Sequence, residues 1–483
     1  MHALWPNIVK WSAVLHPARG RLQRTSAQRS IGHDVTGIAQ TYLTIMGSDA
    51  SLIKPFLHAH PDAVLQVLEL WLHFPRYLPA AALETCGCAY AIGVTALAMY
   101  DVLVYPANRP TPQDRALFVN QLCIAVGSKK TLYRAAVEQT DFLTTLRIPP
   151  LRPMAWDNHF GFIGFVVDVP ELEGQNIPGK LIRSVVSAAR HCLNSRETQY
   201  SAALGLKLLA TLCMKAKDNR PLVHAFKAGV FDLLRDAESA RLDFDLSELV
   251  RLLCAGLLQI KVIRAFHRRH PGEIAVSHLG TQELTRQVFT WTDVAHTWNS
   301  SRQRYLGSHR RREWRQTDHC ANAQGPHNRL VRVCPCASIF YCSGSCQRLH
   351  WAAVHWESCM ATQGAWAMRG AISLADAMFV QDLVRSYIAD RHATIAAQIS
   401  AQMSRKRGLL ADATNLSIHV DFSDAVLTPR HEIRVRYPYG INLPLGLKYP
   451  IPGIVLVEVS LRLGTTLREC YVPLAFHVKD FVG

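Results

Sequence analysis

The sequence predicts a mostly α-helical chain that carries a small metal-binding module and ends in a short α+β region. Three observations support this fold class. Apolar residues recur at helical spacing from about residue 35 to 300. Six of the 13 cysteines then fall between residues 320 and 359. From Asn415 onward apolar and polar residues alternate, which is the pattern of β-strands.

The composition is that of a folded, strongly basic protein. The chain has 483 residues, 49% of them apolar, and a formal net charge of +16. This length fits two or three domains, and this apolar content excludes an intrinsically disordered chain. The charge favours acidic partners in general, namely nucleic acid, an anionic membrane surface or acidic protein segments. It does not select among them.

The N-terminus is basic, since the first 33 residues contain no acid but several arginines. Mitochondrial presequences share this composition, but we expect residues 1–34 to be a disordered basic terminus. No secretory signal is recognised, and scattered cysteines such as Cys213 lie in apolar surroundings. We therefore expect a cytoplasmic or nuclear protein whose thiols stay reduced.

One apolar stretch has to be distinguished from a membrane-spanning helix. Residues Thr85 to Tyr100 are uncharged over 16 positions, and Glu84 and Asp101 bracket them. A membrane-spanning helix needs about 20 apolar residues. We therefore predict a buried helix here and no membrane span.

The clearest helical unit runs from Glu197 to Ser239. Two apolar stripes at helical spacing flank the sequence "KDNRP", and Gly229 interrupts the second stripe. This pair, with its "AGVFDLL" stretch, resembles the helix pairs of armadillo and HEAT repeats. The resemblance implies an armadillo-like helical region over residues 35–300. The arginine-rich stretch at 301–316 that follows is expected to be a solvated linker or a charged helix face, and a nuclear import signal is the alternative. Similar helix pairs are predicted at residues 49–75, 80–104, 113–146 and 178–194.

The C-terminal part, residues 370–483, reads as α+β. "SLAD", beginning at Ser373, has the form of a capping box and predicts the start of a long helix. The stretches "NLSIHVDF", "HEIRVRY" and "VLVEVSLRL" alternate with a period of two. We predict one long helix followed by a small antiparallel sheet.

The cysteine cluster has the spacing of a zinc site. Zinc takes four soft ligands in a tetrahedron, and short spacings bring two of them together. A redox pair would need a thioredoxin-like strand–helix context, and disulfides need an oxidising compartment. His350 lies outside the ligand pattern and is expected to face solvent. The candidate cysteine and histidine ligands are Cys320, Cys334, Cys336, Cys342, Cys346, His355 and Cys359.

The second half of this cluster resembles a MYND-type zinc finger. The shared positions are Tyr341, Cys342, Ser343, Cys346, Gln347, Trp351, His355 and Cys359. The resemblance covers residues 317–360 and implies two interleaved zinc ions. Cys320, Cys342 and Cys346 would hold the first, and Cys334, Cys336, His355 and Cys359 would hold the second.

Two positions depart from the family pattern. The second cysteine pair is one residue shorter than usual, because Cys334 and Cys336 are separated by a single proline. The family also has a second cysteine shortly after the first, and here "CANAQGPHNRL" offers none. His327 is the candidate for the missing ligand, with His319 behind it. A first site with three ligands, or a single zinc in all, is the alternative.

The function implied by the resemblance is protein interaction. With its ligand positions filled by protein side chains, such a zinc is structural and does not activate water. MYND modules bind short proline-containing peptides, and the matching positions are Gln347 and Trp351, although Trp351 also fits a core role. We therefore expect a zinc-binding scaffold without enzymatic activity. The whole arrangement, including "IHVDFSD" at 418–424, resembles uncharacterised MYND proteins of mushroom-forming fungi.

Two other functions have weaker support in the sequence. Some MYND proteins are SET-domain lysine methyltransferases, but the chain has no Gly-Glu-Glu segment, and its nearest string to their site, "DNHFGF" at 157–162, lacks serine and cysteine. A nucleic-acid-associated regulator has only the charge and the arginine-rich stretch in its favour.

Overall fold

The computed structural model describes most of the chain. The described residues are 2–19, 28–78, 85–146, 152–170, 176–240, 244–276, 289–310, 320–324, 332–333, 340–356, 374–405, 416–423, 429–435, 454–463 and 466–481. The chain divides into two compact units. The first contains Met1–Lys217 and Ala228–Leu249, and the second contains Asp218–Lys227 and Val250–Gly483.

Helices dominate the described residues, as the sequence predicts. In chain order they are α1 (Trp5–Leu15), α2 (Gln28–Met46), α3 (Ala50–Ala59), α4 (Pro61–Tyr77), α5 (Thr85–Leu103), α6 (Pro112–Val126), α7 (Lys129–Thr145), α8 (Arg152–Val167), α9 (Gly179–Leu193), α10 (Gln199–Lys215), α11 (Arg220–Ala228), α12 (Val230–Ser239), α13 (Ser247–Gly256), α14 (Ile260–Arg269), α15 (Trp291–Arg310), α16 (Gly344–His350), α17 (Leu374–Asp390) and α18 (His392–Arg405).

The strands form two sheets. Their bounds are β1 (Arg332–Val333), β2 (Phe340–Tyr341), β3 (Leu416–Asp421), β4 (Arg430–Val435), β5 (Ile454–Leu463) and β6 (Thr466–His477). Strands β1 and β2 make a short antiparallel hairpin, and the other four form one sheet in the order β4-β3-β5-β6. The chain is therefore mostly α with a small sheet.

The larger sheet is mixed, which corrects the expectation of an antiparallel sheet. Strands β3 and β4 are antiparallel, but β5 lies on the other side of β3 and runs parallel to it. Alternation identifies each strand without fixing its neighbours. Strands β4 and β5 therefore lie on opposite sides of β3, an arrangement that the alternation of each strand does not predict.

The N-terminal segment is ordered over residues 2–19, which differs from the disordered terminus expected for residues 1–34. Helix α1 buries Trp5 and Val9, and the Trp5 ring packs edge-on against Phe56 at 5.1 Å between centroids. His16 then bonds the backbone oxygen of Gln66 at 3.0 Å. The apolar face of α1 explains the order, because that face is buried while Lys10, the basic residue of the helix, is exposed.

The first unit is an assembly of packed helices, and capping side chains and glycines mark several of the helix ends. Thr111 and Asp114 form a capping box at the start of α6, and Gly127 ends that helix at a φ of 60°. Helix α5, predicted as buried rather than membrane-spanning, buries Ala96, Met99 and Leu103. No helix in the described part of the chain combines the length and apolar character needed to cross a membrane.

The predicted break at Gly229 is confirmed. This glycine has a φ of 89°, a left-handed conformation that favours glycine, and it separates α11 from α12. Within the first unit, Arg190 on α9 donates a hydrogen bond of 2.7 Å to the Gly229 carbonyl. The turn is therefore fixed by both backbone geometry and a side chain.

The second unit has an aromatic core formed between its helices. Phe266 on α14 packs against Phe226 at 5.0 Å and against Trp298 on α15 at 4.9 Å between ring centroids. Helix α17, predicted from Ser373 onward, is described from Leu374; the capping box itself lies outside the described residues. Its Tyr387 hydroxyl donates to the backbone oxygen of Pro429 at 2.9 Å, which ties the helix to the start of β4.

Candidate metal centre

The core of the candidate metal centre is built by a hairpin that leads into a short helix. Strand β2 ends at Tyr341, and Cys342 follows directly. The Ser343 hydroxyl then accepts a hydrogen bond of 3.1 Å from the backbone N–H of Cys346, which caps α16. This cap begins a helical turn at Ser343, so Cys346 is brought back beside Cys342.

Three thiols meet at this point. The sulfur atoms of Cys320, Cys342 and Cys346 all lie within 4.8 Å of one another, and those of Cys342 and Cys346 are 3.4 Å apart. Zinc–sulfur bonds are about 2.3 Å long, so the sulfur atoms of a tetrahedral thiolate site lie about 3.8 Å apart. The three side chains therefore fit a zinc ion in both donor type and spacing. Among the described residues no other group of three ligating side chains comes together in this way.

The electrostatics of the cluster suit a cation. Burial, together with the neighbouring thiols, raises the pKa of Cys342. The Ser343 hydroxyl has the largest effect on Cys346 and lowers the pKa of that thiol. Three thiolates this close repel one another, and a divalent cation bound between them would offset that repulsion.

Asn322 is a further member of the site that the sequence analysis missed. Asn322 is only 6% exposed. Its side chain lies beside Cys346, where it helps to lower the pKa of that thiol. Its Oδ1 accepts a hydrogen bond of 3.3 Å from the backbone N–H of Gln324. An asparagine two residues after a ligand cysteine was the available signal, since asparagine commonly bonds the backbone two residues on.

His355 is buried near the cluster but is not one of its three members. It is 2% exposed and ends a π-helical turn, Trp351–His355, that continues α16. Its ring packs edge-on against Trp351 at 5.5 Å between centroids. His350, expected to face solvent, is instead half-buried and lies 3.0 Å from the Tyr341 hydroxyl through Nδ1.

The other predicted site residues divide into two groups. Gln347 and Trp351, the predicted peptide-binding residues, are both half-buried on the helical segment after Cys346. Four predicted ligands and one reserve candidate lie outside the described residues: His327, Cys334, Cys336, Cys359 and His319. Their assignment stays a prediction.

The string "DNHFGF", considered above for a methyltransferase, lies in helix α8 of the first unit. Its His159 is buried, and burial lowers the pKa of the imidazole to about 3. The ring bonds the Thr140 hydroxyl at 2.8 Å. His159 is therefore a neutral core residue that links α8 to α7.

Comparison with known proteins identifies the module that contains the three thiols. The family model of the MYND finger matches residues 318–359. No curated protein and no solved structure matches the chain. The matched range contains every described member of the thiol cluster, and MYND fingers are zinc-binding modules. Residues 318–359 of this chain are therefore a MYND zinc finger.

Proposed function

We propose that this chain is a zinc-dependent interaction protein whose finger binds a proline-containing peptide segment of a protein partner. The observation that carries the proposal is the finger itself, matched at residues 318–359 with three of its thiols assembled. Its zinc is structural, so metal binding supports the proposal by holding the shape of the module.

The surface after Cys346 is suited to a peptide. Gln347 and Trp351 are four residues apart and share one face of the helical segment. Around them the segment exposes large apolar side chains, Leu349 by 57%, Val354 by 61% and Trp356 by 57%. Proline-rich segments bind aromatic-lined surfaces because their extended helix is already ordered before binding.

The helical part of the chain provides the second binding surface of this proposal. An armadillo-like solenoid would present an extended face to a further partner. The formal net charge of +16 would favour an acidic one. We propose that the protein acts in the cytoplasm or nucleus, where its thiols stay reduced.

Peptide binding is tested by fluorescence anisotropy on the full chain. A labelled proline-containing peptide and its alanine-substituted version are titrated against the wild type, W351A and Q347A. We expect the substituted peptide and W351A each to weaken binding about tenfold or more, as loss of an aromatic anchor does. The matched control is W11A, which removes a tryptophan that is 68% exposed elsewhere. Equal binding of both peptides, or equal loss in W11A, would contradict the proposal.

We propose no enzymatic activity for this chain. The alternative, a protein-lysine methyltransferase, is tested directly with labelled S-adenosylmethionine and histone substrates. Reproducible methyl transfer to these substrates would overturn our proposal. Retention of DNA at moderate salt would instead favour the nucleic-acid-associated alternative, because nonspecific charge binding weakens steeply with salt.

A further inference from the structure

A groove of about 420 Å³ lies between α15 and α17, two helices of the second unit. The first part of the arginine-rich stretch, expected to be a linker or a charged helix face, belongs to α15, which continues to Arg310. On both helices the residues that line the groove recur at helical spacing, so each set lies on one face of its helix. They include Gln303, Arg304 and Gly307 on α15 and Asp382, Arg385 and Ser386 on α17.

Arg304 brings a positive charge without an acidic partner into this groove. Its side chain is half-buried, and its Nη2 donates a hydrogen bond of 3.4 Å to the Ser386 hydroxyl. No carboxylate in the described part of the chain lies within 4.0 Å of the guanidinium group. Because a guanidinium group stays ionised in proteins, this half-buried charge would gain from an anion in the groove.

The second arginine of the groove is paired with an acid. Arg385 Nη1 lies 3.7 Å from Asp382 Oδ1, one turn earlier on α17. Two guanidinium groups and one carboxylate leave one positive charge uncompensated among these lining residues. A carboxylate ligand would balance that charge and accept paired hydrogen bonds from a guanidinium group. A phosphate dianion would instead bring a second negative charge against Asp382.

The exposure of the groove indicates the size of the ligand. Gln303 and Arg385 are exposed, and Arg304, Gly307 and Ser386 are half-buried. A small molecule bound here would stay largely in water, whereas small-molecule sites enclose most of the ligand surface. The groove is therefore better suited to a side chain that is carried on a longer peptide.

Helix α14 adds positive charge to the same unit. It packs against both α15 and α17 and contains no acidic residue. Lys261, Arg264 and Arg268 follow one another at helical spacing on it, and Lys261 and Arg268 are exposed. A surface with charge of one sign attracts segments of the opposite sign before contact. The charge of this unit thus favours an acidic partner.

We propose that the groove between α15 and α17 binds a carboxylate side chain of an acidic segment in a partner protein. Arg304 supplies the uncompensated charge, and the ion pair with Asp382 orients Arg385. The Ser386 oxygen accepts from Arg304 and keeps its own hydrogen to donate to the ligand. The inference rests on the second binding surface of the proposed function, for which it names the place and the ligand chemistry.

The test is fluorescence anisotropy on the zinc-loaded full chain with a labelled peptide of alternating glutamate and glycine. We expect this peptide to bind saturably and a matched peptide with glutamine at each glutamate not to bind. R304Q should weaken binding about tenfold, the effect of losing hydrogen bonds to a charged group. R385Q should weaken it about threefold, because the Arg385 side chain is 55% exposed.

R391Q is the matched control, since it removes the same charge from an exposed arginine just after α17 that does not line the groove. It should change binding by less than about twofold. Equal losses in R304Q and R391Q would show nonspecific attraction and overturn the inference. R385Q keeps the test decisive if R304Q fails to fold, because an exposed side chain is replaced.

Two competitors distinguish other ligands. Free glutamate that displaces the labelled peptide as well as the unlabelled peptide does would identify a small-molecule site and overturn the inference. A single-stranded oligonucleotide that binds more tightly than the peptide and is weakened by R304Q would assign the groove to nucleic acid and overturn it too. The proline-containing peptide should bind R304Q as it binds the wild type. Failure of the acidic peptide alone therefore refutes this inference, and failure of both peptides refutes the proposed function as well.

Discussion

The backbone N–H of Cys342 points at the sulfur of Cys320, 22 residues earlier in the chain, across 3.4 Å. This contact joins the loop that begins the finger to the end of its hairpin. Amide–sulfur bonds of this kind stabilise a thiolate, so the two segments are arranged for metal binding by backbone as well as by side chains. Substitution of the cysteines should therefore change the amount of zinc that the chain binds.

The first prediction concerns zinc stoichiometry. We expect C320S and C346S each to release one zinc from a chain that otherwise holds two, because each substitution leaves two thiolates in the first site. Zinc content is measured by mass spectrometry on the purified full chain. C123S, which replaces an exposed cysteine outside residues 318–359, should retain both ions. Unchanged zinc in C346S would show that the three thiols do not form a metal site.

The second prediction concerns Asp114 in the first unit. Burial by itself raises the pKa of this carboxyl, but hydrogen bonds led by that from His58 outweigh it and lower the pKa from 3.8 to about 2. Lys54 and the Thr111 N–H complete the set, at 3.3 Å and 2.8 Å. The ionised carboxylate thus stabilises the fold above about pH 4, and this contribution is lost as the pH falls through 2.

We therefore expect D114N to lower the free energy of unfolding by about 2 kcal/mol at pH 7. The difference from wild type should shrink as the pH is lowered from 4 toward 2, as followed by urea denaturation. D390N, which alters an exposed acid at the end of α17, serves as the control and should show no such convergence. A constant deficit in D114N at all pH values would contradict the ionic role.

Structural features that depend on residues close together in the chain could be predicted from the sequence. Features that depend on contacts between distant residues could not. Helices such as α10 and α17, strands such as β3, and the turn at Gly229 follow from local periodicity and backbone preference. The parallel pairing of β3 with β5 is a relation between strands distant in sequence, which the alternation within each strand does not encode. The order of α1 depends on distant partners such as Phe56.

The finger shows the same division. Spacing identified Cys342 and Cys346 as ligands, because a helical turn places them together whatever the rest of the fold does. Asn322 was missed because its role arises from a contact with Cys346 across the site, and an Asx turn alone does not show which way its amide faces. Sequence reasoning therefore finds the ligands more readily than the groups that surround them.

The third prediction concerns His16, which anchors the N-terminal segment. Burial, the largest cause, lowers the pKa of this imidazole from 6.5 to about 4. The neutral ring donates from Nε2 to Gln66 O at 3.0 Å, and its Nδ1 accepts from the Ala18 N–H at 3.3 Å. Protonation would place a second N–H against that of Ala18. Glu69, 3.8 Å from Nδ1, also contacts Arg19, which limits its help to a charged ring.

Stability from the neutral His16 is therefore fully present above pH 6.5 and is lost as the pH falls toward 4 and below. We expect α1 to lose hydrogen-exchange protection over this range, after correction for the intrinsic effect of pH, with a total effect of about 3 kcal/mol. H16N, which keeps a donor for Gln66 O, should remove most of this pH dependence. Protection of α1 that is unchanged between pH 7 and 4 in wild type would contradict the assignment.

The fourth prediction tests the packing of three helices in the first unit. A methyl group added at Gly205 on α10 would lie 3.0 Å from the Cβ of Ala189 on α9 and 3.2 Å from the ring of Phe160 on α8. Since neither neighbour is the end of a long flexible chain, we expect G205A to lower the free energy of unfolding by about 1–3 kcal/mol. Gly161 on α8 is the matched control, because a methyl group there meets nothing within 4 Å. G161A should gain about 0.5–1 kcal/mol from helix propensity alone. Thermal and urea denaturation of both variants decide the matter, and a G205A protein as stable as G161A would show that α8, α9 and α10 do not pack at this point.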